Sequence, residues 1–514
     1  MMNASYLRLM LMMALSGVLV AGLAACGDDG GDGMMGDDDD DDMMVGDDDD
    51  DDMMVGDDDD DDDDDEVQPV CDTDGEADED GFFDCVLAPE DEAVAELPFD
   101  DASFNNTVVA DAVVPVPGDD DPLFVLPDGD PNAMGGTPPA PFDTSATYRG
   151  ADAPGTATDD LWWNPWVTFT GDDTCPEGNT EVSITADITS DTTWTSDNCY
   201  VLDEQIFVSG ASADNPTVLT IEPGTFITGG DEGDALIITT TGQIDAQGTP
   251  EEPIIFTSNR AADDRNAGDW GGVVLLGLGE LNTADPTQVV EGLPPGTSAG
   301  EYGGSDNTHN CGTLEYVRIE HAGFPISSDN ELNGLTAGGC GSDTTISFVE
   351  VFNGQDDGIE FFGGRVSADH TVVVNQGDDG YDFDQGWQGG IQFAVGYNAV
   401  GDRNNEWDNN SNGRRNEPFT TPTVWNGTYV GVSTGQECFR LREGVRADIN
   451  NVICQDFADD QCVEVQHLET LFNVNDGSLT VSDSLFANCE TAFRFSVGDS
   501  CMADADCVPF DVTP

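Results

Sequence analysis

From about Val182 onward, hydrophobic residues occur in short β-branched or aromatic runs that are separated by Gly, Asp and Asn turns. No long apolar helical pattern interrupts these runs. Short strands with frequent turns are typical of an all-β repeat, a sandwich or a barrel. The runs are 218–221, 235–239, 253–257, 272–276, 314–319, 346–351 and 371–374.

Internal repeats distinguish between these all-β architectures. Residues 356–361 (DDGIEF) recur as 378–383 (DDGYDF) at an offset of 22, and the pattern Ile346-x-x-Val349 recurs as Ile449-x-x-Val452 at an offset of 103. Solenoid coils place equivalent residues above one another. We therefore predict an all-β fold, a right-handed parallel β-helix of roughly a dozen coils with ~22–27 residues each. A β-sandwich is the alternative, although it would show more hairpin turns.

Charge limits the possible partners. The chain has 514 residues, with 13 Lys and Arg against 106 Asp and Glu, and its formal net charge is −93. Such a chain has no means of replacing the counterions of a nucleic acid, and it would be repelled by anionic lipid. We therefore expect no nucleic-acid partner.

The first residues predict export and a lipid anchor. Arg8 precedes the apolar run 9–22, which has the length of a signal peptide and is short for a membrane span. The following Leu23-Ala24-Ala25-Cys26 resembles a bacterial lipobox, which implies that Cys26 is lipidated and anchors the chain in a bilayer. An ordinary cleavage site beside an incidental Cys is the alternative. By the same resemblance, Gly27 implies the outer membrane or cell surface, with the periplasmic leaflet also open.

Twelve further cysteines suit an exported chain with up to six disulfides. Connectivity cannot be deduced from sequence, and the close pairs are the guesses. These are Cys71/Cys85, Cys175/Cys199, Cys311/Cys340 and Cys501/Cys507.

The region after Cys26 is dominated by aspartate. Residues 28–66 carry 25 acidic residues and no basic one. Like charges at this density predict a disordered acidic N-terminal tether, either a simple spacer or a diffuse cation sponge. The whole order is 1–25 signal peptide, 26–66 lipidated Cys and tether, 67–90 calcium motif, 91–170 linker or N-terminal cap, 171–498 β-helix and 499–514 C-terminal tail.

The calcium motif is CDTDGEADEDGFFDC, residues 71–85. Closely spaced carboxylates in a Gly-kinked loop supply the oxygen ligands that Ca²⁺ prefers. The segment resembles a thrombospondin type 3 repeat, although it stands alone and Gly75-Glu76 lacks a further Asp. A disulfide-closed acidic loop without metal is the alternative. The predicted Ca²⁺ ligands are Asp72, Asp74, Asp78, Asp80 and Asp84.

Other motifs carry a second resemblance. The segments 221–225 (IEPGT), 268–272 (GDWGG) and 356–364 (DDGIEFFGG) look like a family of secreted bacterial proteins. That family is predicted to form right-handed parallel β-helices, and many members are lipoproteins. The resemblance implies architecture and export, and it carries no settled activity.

An acidic strip in the repeats is the candidate for carbohydrate chemistry or for metal binding. Carboxylates could act in a glycosidase, or hold Ca²⁺ in a lyase with an arginine as base. The Gly-His-Gly and Arg-Ile-Lys motifs of β-helical polygalacturonases are missing, and Asp-Asp recurs in three coils, which favours a turn device or stacked cation sites. The residues of this alternative carbohydrate or metal site are Asp356, Asp357, Glu360, Arg365, Asp378, Asp379, Asp382 and Asp384.

The favoured function is therefore non-enzymatic. We expect a surface-anchored lipoprotein that presents a rigid β-helix for adhesion or for binding an extracellular glycan or surface protein, with structural Ca²⁺. The alternative is a calcium-dependent polysaccharide lyase or glycoside hydrolase at the acidic strip. A third hypothesis attributes the acidity to salt adaptation alone. We predict no catalytic residues, and we expect Arg440, Arg442 and Arg446 to neutralise neighbouring carboxylates.

Overall fold

The computed structural model describes residues 68–71, 85–88, 97–100, 102–110, 112–115, 124–230, 233–293, 297–327, 330–398, 401–431, 437–458 and 461–496. The chain divides into two compact units, one of which contains residues 93–502. In the other unit, strands Gln68–Cys71 and Cys85–Ala88 form an antiparallel hairpin that pairs the backbone of Cys71 with that of Cys85. Cys26 and the five predicted Ca²⁺ ligands between these strands lie outside the described residues.

Almost all regular structure is β-strand. Strands in chain order are β1 (Gln68–Cys71), β2 (Cys85–Ala88), β3 (Thr107–Val109), β4 (Thr180–Ile184), β5 (Thr192–Trp194), β6 (Asn198–Leu202), β7 (Ile206–Val208), β8 (Thr217–Ile221), β9 (Phe226–Gly229), β10 (Ala235–Ile238), β11 (Gly242–Gln247), β12 (Ile254–Ser258), β13 (Gly272–Leu276), β14 (Gln288–Val289), β15 (Glu301–Tyr302), β16 (Gly312–Glu320), β17 (Pro325–Ser327), β18 (Asn330–Glu331), β19 (Leu335–Gly338), β20 (Thr345–Phe352), β21 (Ile359–Phe362), β22 (Ser367–Val374), β23 (Tyr381–Asp384), β24 (Gly390–Asn398), β25 (Asn405–Asp408), β26 (Thr423–Gly431), β27 (Phe439–Arg442), β28 (Ala447–Asn450), β29 (Ile453–Gln455), β30 (Gln461–Gln466), β31 (Leu479–Ser482), β32 (Leu485–Ala487) and β33 (Thr491–Ser496). The helix α1 (Leu468–Asp476) lies between β30 and β31. No helix within the described ranges is long and apolar enough to cross a membrane.

Two parallel sheets build the β-helix. Sheet A has ten strands in the order β33-β30-β27-β25-β23-β21-β19-β13-β10-β7, and sheet B joins seventeen others. The predicted offset of 22 is one coil, since Ile359 pairs with Tyr381. The offset of 103 spans four coils, because Ile346, Ala368, Ile391, Val424 and Ile449 are successive partners in one row. The predicted parallel β-helix is confirmed.

The core is a continuous stack of apolar rows between the sheets. Val, Ile, Phe and Trp side chains from both sheets form one buried cluster. Phe361, Phe383 and Trp407 stack from coil to coil at ring-centroid distances of 5.4 and 5.5 Å. Each coil therefore covers the apolar face of its neighbour, which is how a solenoid gains stability.

Sheet B bends sharply along one line. One residue in the left-handed conformation marks the bend in each of the strands β16, β20, β22, β24 and β26. In the next two coils the equivalent residue comes directly after the last residue of β28 and of β31. This bend ladder consists of Tyr316, Phe348, His370, Phe393, Asn426, Asn451 and Asp483, with φ between 49° and 60°. A positive φ is uncommon for such residues, so the stacking and capping bonds along the ladder must hold the bend.

The described residues within 97–171 form a strap along the bend ladder, in the segment 91–170 that was expected to be a linker or cap. At one end β3 pairs in parallel with β32. Further along, the Asn451 and Asn426 side chains donate to the carbonyls of Gly136 and Tyr148. Trp162 and Trp166 then pack on the ladder rings. These tryptophans therefore cover the side of the β-helix.

Four disulfides hold the described part of the β-helix. Cys175–Cys199 and Cys311–Cys340 confirm two of the predicted pairs. Cys438–Cys454 and Cys462–Cys489 were not predicted, because sequence spacing says nothing about which coils adjoin. The predicted pair Cys501/Cys507 lies outside the described residues.

Candidate functional site

Acidic residues replace apolar ones on the outer face of sheet A. Glu360, Asp382 and Glu406 are successive partners on β21, β23 and β25. The residues on either side of Glu360, which are Ile359 and Phe361, are buried in the core. Because successive side chains of a strand alternate between faces, the three carboxylates share the outer face, one coil apart.

The turn before each strand adds further carboxylates. The amide of Asp379 donates to Oδ1 of Asp357 at 2.9 Å, which places these two turns one above the other. Gly358 makes this stacking possible, since a Cβ there would lie 2.6 Å from the carbonyl oxygen of Gly380. The Asp-Asp-Gly repeat is thus a turn that stacks and that also concentrates charge.

Three overlapping carboxylate triads result. They are Asp356/Asp357/Asp378, Asp357/Glu360/Asp382 and Asp379/Asp382/Glu406, and in each triad one oxygen per residue lies within 4.8 Å of the others. Asp357 belongs to the first two triads and Asp382 to the last two. We call these seven residues the acidic face.

Burial makes ionisation of the acidic face costly. Burial, with the charges of Glu291 and Asp378, raises the pKa of Asp356 to about 8. Burial and neighbouring carboxylates also raise the pKa of Asp357, Glu360, Asp379 and Asp382 well above the usual values. Like charges that are held together in a poorly solvated site therefore retain protons unless a cation replaces them.

Three oxygens of the acidic face are buried without a hydrogen-bond partner, and one of them, Oε2 of Glu406, is in an ion pair with Arg403. The other two are Oδ1 of Asp379, a residue only 3% exposed, and Oδ1 of Asp382. A buried acceptor without a partner is costly, and a bound cation would supply one. The donor set consists of carboxylate oxygens alone, which suits hard ions such as Ca²⁺ or Mg²⁺.

A comparison with family models identifies the architecture. The model described as a pectate-lyase-like β-helix domain matches residues 186–506, more than half of the chain. The chain belongs to this family. No curated protein and no solved structure matches the chain significantly.

Arginines of this pectate-lyase-like β-helix lie at the end of the acidic face, and each is paired with carboxylates. Arg403 contacts Glu406 at 2.5 Å and Asp379 at 3.6 Å. Arg442 bonds Asp408 at 2.8 Å, and Arg440 pairs with Glu464 at 3.2 Å. The predicted neutralising role suits Arg440 and Arg442, whereas Arg446 lies 3.6 Å over the ring of Phe419.

Two residues of the predicted strip lie apart from the triads. Arg365 follows the turn after β21 and pairs with Glu280 at 3.9 Å, with both side chains nearly half exposed. Asp384 occupies the next outward row, where its register partner is Phe362. Burial and Asp408 raise the pKa of Asp384 well above its usual value. The structure thus brings together six of the eight predicted residues.

Sequence reasoning missed Glu406 and Glu291. Glu406 follows the alternation of NEWD, which parallels YDFD one coil earlier, so a coil-by-coil alignment of β23 and β25 could have found it. Glu291 comes from an insertion whose apolar side chains cover sheet A at β10 and β13. The amide of Asn333 bonds both Glu291 at 3.4 Å and Glu360. No periodic signal points to Glu291.

Proposed function

We propose that this protein is a lipid-anchored surface β-helix that binds divalent cations along its acidic face and, through them, an anionic glycan or surface polymer. Its role is adhesion or ligand presentation rather than catalysis. The rigid solenoid keeps the cation row in a fixed line on one face.

The observation that carries the proposal is the overlap of the three triads. With one oxygen from each residue, a triad supplies three ligands, fewer than the six to eight oxygens that Ca²⁺ takes. The remaining positions would be filled by water or by the ligand's own oxygens. A row of such ions would attract a polymer with repeated carboxylates or sulfates, which the chain's negative charge would otherwise repel.

The arginines support binding over catalysis. A lyase base must lose a proton, which requires a lowered pKa. Despite burial, Glu406 and Asp379 raise the pKa of Arg403, and Asp408 and Glu406 raise that of Arg442. Both guanidiniums are thereby held in the charged form.

The enzymatic alternative depends on the carboxylates. Burial raises the pKa of Asp408 to about 7, although Arg442 opposes the shift. A carboxyl group that titrates near neutrality could serve as a general acid in a glycoside hydrolase. This alternative predicts new reducing ends, or unsaturated uronate if a lyase acts.

Calorimetry tests the cation proposal. Ca²⁺ is titrated into the full chain, into Asp382→Asn and Asp80→Ala, and into the control Asp203→Asn, whose side chain is exposed on an early coil. We expect Asp382→Asn to lose a part of the Ca²⁺-binding heat that Asp80→Ala and Asp203→Asn both retain. Identical isotherms for Asp382→Asn and wild type would reject cation binding at the acidic face.

Polymer binding and the anchor have their own tests. Polygalacturonate and alginate should bind in Ca²⁺, should be released by EDTA and should remain uncleaved, whereas cleavage would favour the enzymatic alternative. For the anchor, Cys26→Ala should move the protein from the membrane pellet to the soluble fraction. Persistence in the pellet would reject lipidation as the anchor.

A further inference from the structure

A concave site lies on sheet B, apart from the acidic face. A cavity of about 570 Å³ opens beside the bend ladder, where Phe142 and Asp143 of the strap meet His370 and Phe393. This volume falls within the range of small-ligand pockets, which combine apolar walls with a few placed polar groups. The acidic face contributes no residue to it.

Aromatic rings form the apolar part of the cavity. His370 and Phe393 line it with ring centroids 4.7 Å apart, and Phe393 is only 7% exposed. Phe348, which lies behind the lining, stacks on His370 at 4.3 Å. Phe142 is held close to the backbone of Gly390, where a Cβ would lie 2.6 Å from the Phe142 ring. Rings fixed in this way present a flat apolar surface at little entropic cost.

Two carboxylates supply the polar part, and each uses only one oxygen in its contacts with the described residues. Oδ1 of Asp369 accepts from Ser347 at 2.7 Å and contacts Nδ1 of His370 at 2.5 Å. Oδ1 of Asp143 accepts both the amide and the hydroxyl of Ser145. In each case Oδ2 remains for a donor from a ligand, since an ionised carboxylate only accepts.

The charge of the lining selects the ligand. No Arg lines the cavity, and the two carboxylates would repel a uronate or a sulfate. Hydroxyl groups suit these acceptors, and the apolar face of a pyranose suits the rings. We infer that this cavity binds a neutral oligosaccharide, with a sugar ring against Phe142 and hydroxyls donating to Asp143 and Asp369.

This inference is independent of the cation proposal, so its test is made in excess EDTA. The full chain is titrated with cellohexaose, maltohexaose, chitohexaose and mannohexaose by calorimetry, and contacts are mapped by saturation-transfer NMR. We expect saturable binding of at least one hexasaccharide. No binding of any of the four would overturn the inference.

Variants locate the site. Phe142→Ala and Asp369→Asn should each weaken binding by about tenfold or more, while Phe142→Tyr and the distant Asp203→Asn should not. If Phe142→Ala fails to fold, Gly390→Ala provides the second perturbation, because its methyl displaces the Phe142 ring. Unchanged affinity in the folded variants would overturn the assignment. Binding of tetramethylammonium chloride without binding of any sugar would also overturn the assignment, because it would identify an organic cation as the ligand of the cavity.

Discussion

The amide of Asp379 donates to the Asp357 carboxylate one coil away, at 2.9 Å. One side chain thus supports the stacking of two turns and supplies a ligand to two carboxylate triads. Asp357 therefore has two roles, one in stacking the turns and one as a charged group of the triads, and substitutions of Asp357 should separate these roles.

We predict opposite effects for two substitutions of Asp357. Asp357→Asn retains an acceptor for the Asp379 amide and is neutral without taking up a proton, so the metal-free protein should melt at a higher temperature at pH 8. Asp357→Ala leaves a buried amide without its partner, which costs about 1–3 kcal/mol. Thermal melts in EDTA compare both variants with wild type. A lower melting temperature for Asp357→Asn would contradict the argument.

The stability of the metal-free protein should fall as pH rises. Folded-state pKa values of about 7 for Asp408 and about 8 for Asp356 exceed those of an unfolded chain, which lie near ~4. Between these limits the folded state binds more protons, so its stability is greatest at low pH and is lost as pH rises through about 7–8. Melting temperatures in EDTA across this range measure the effect.

Ca²⁺ should reverse this dependence. A cation that replaces the protons binds more tightly as pH rises, because fewer protons must leave the acidic face. The stabilisation by Ca²⁺ should therefore be larger at pH 8 than at pH 5, and Asp382→Asn should reduce it. A Ca²⁺-induced shift in melting temperature that does not change with pH would contradict the model.

The sequence predicted the coil repeat better than the site. The offsets of 22 and 103 correspond to one and four coils because the core requires apolar residues at the same register in each coil. The acidic face was predicted where it follows that repeat. Glu291 was missed because it lies in an insertion, and the strap was missed because its contacts are side-chain caps on the bend ladder. Neither Glu291 nor the contacts of the strap recur with the hydrophobic periodicity of the coils.

The cysteine count predicts a fully oxidised protein. Four disulfides join eight cysteines in the described part of the chain, and the backbones of Cys71 and Cys85 are cross-strand partners. With Cys26 acylated and Cys501 paired with Cys507, an exported chain should contain no free thiol. Thiol titration in denaturant should give zero, and non-reducing peptide mapping should recover six linked pairs. A reactive thiol at Cys71 or Cys501 would contradict the predicted pairing.

The strap should depend on one buried arginine. Arg149 is 3% exposed and donates to the carbonyls of Asp483, Asn105 and Asn132 at 2.7, 2.6 and 3.1 Å. It therefore joins the strap to the last coils. Arg149→Ala would leave several buried acceptors without donors, so we expect a loss of about 3 kcal/mol or more in the stability of this region.

Limited proteolysis measures that loss locally. In Arg149→Ala, cleavage within 97–171 should precede cleavage of the β-helix, because the coils retain their own ladders and disulfides. Arg365→Ala is the matched control, since its exposed ion pair with Glu280 at 3.9 Å is worth less than about 1 kcal/mol. Equal protease resistance of the two variants would show that the ring contacts of Trp162 and Trp166 hold the strap without Arg149.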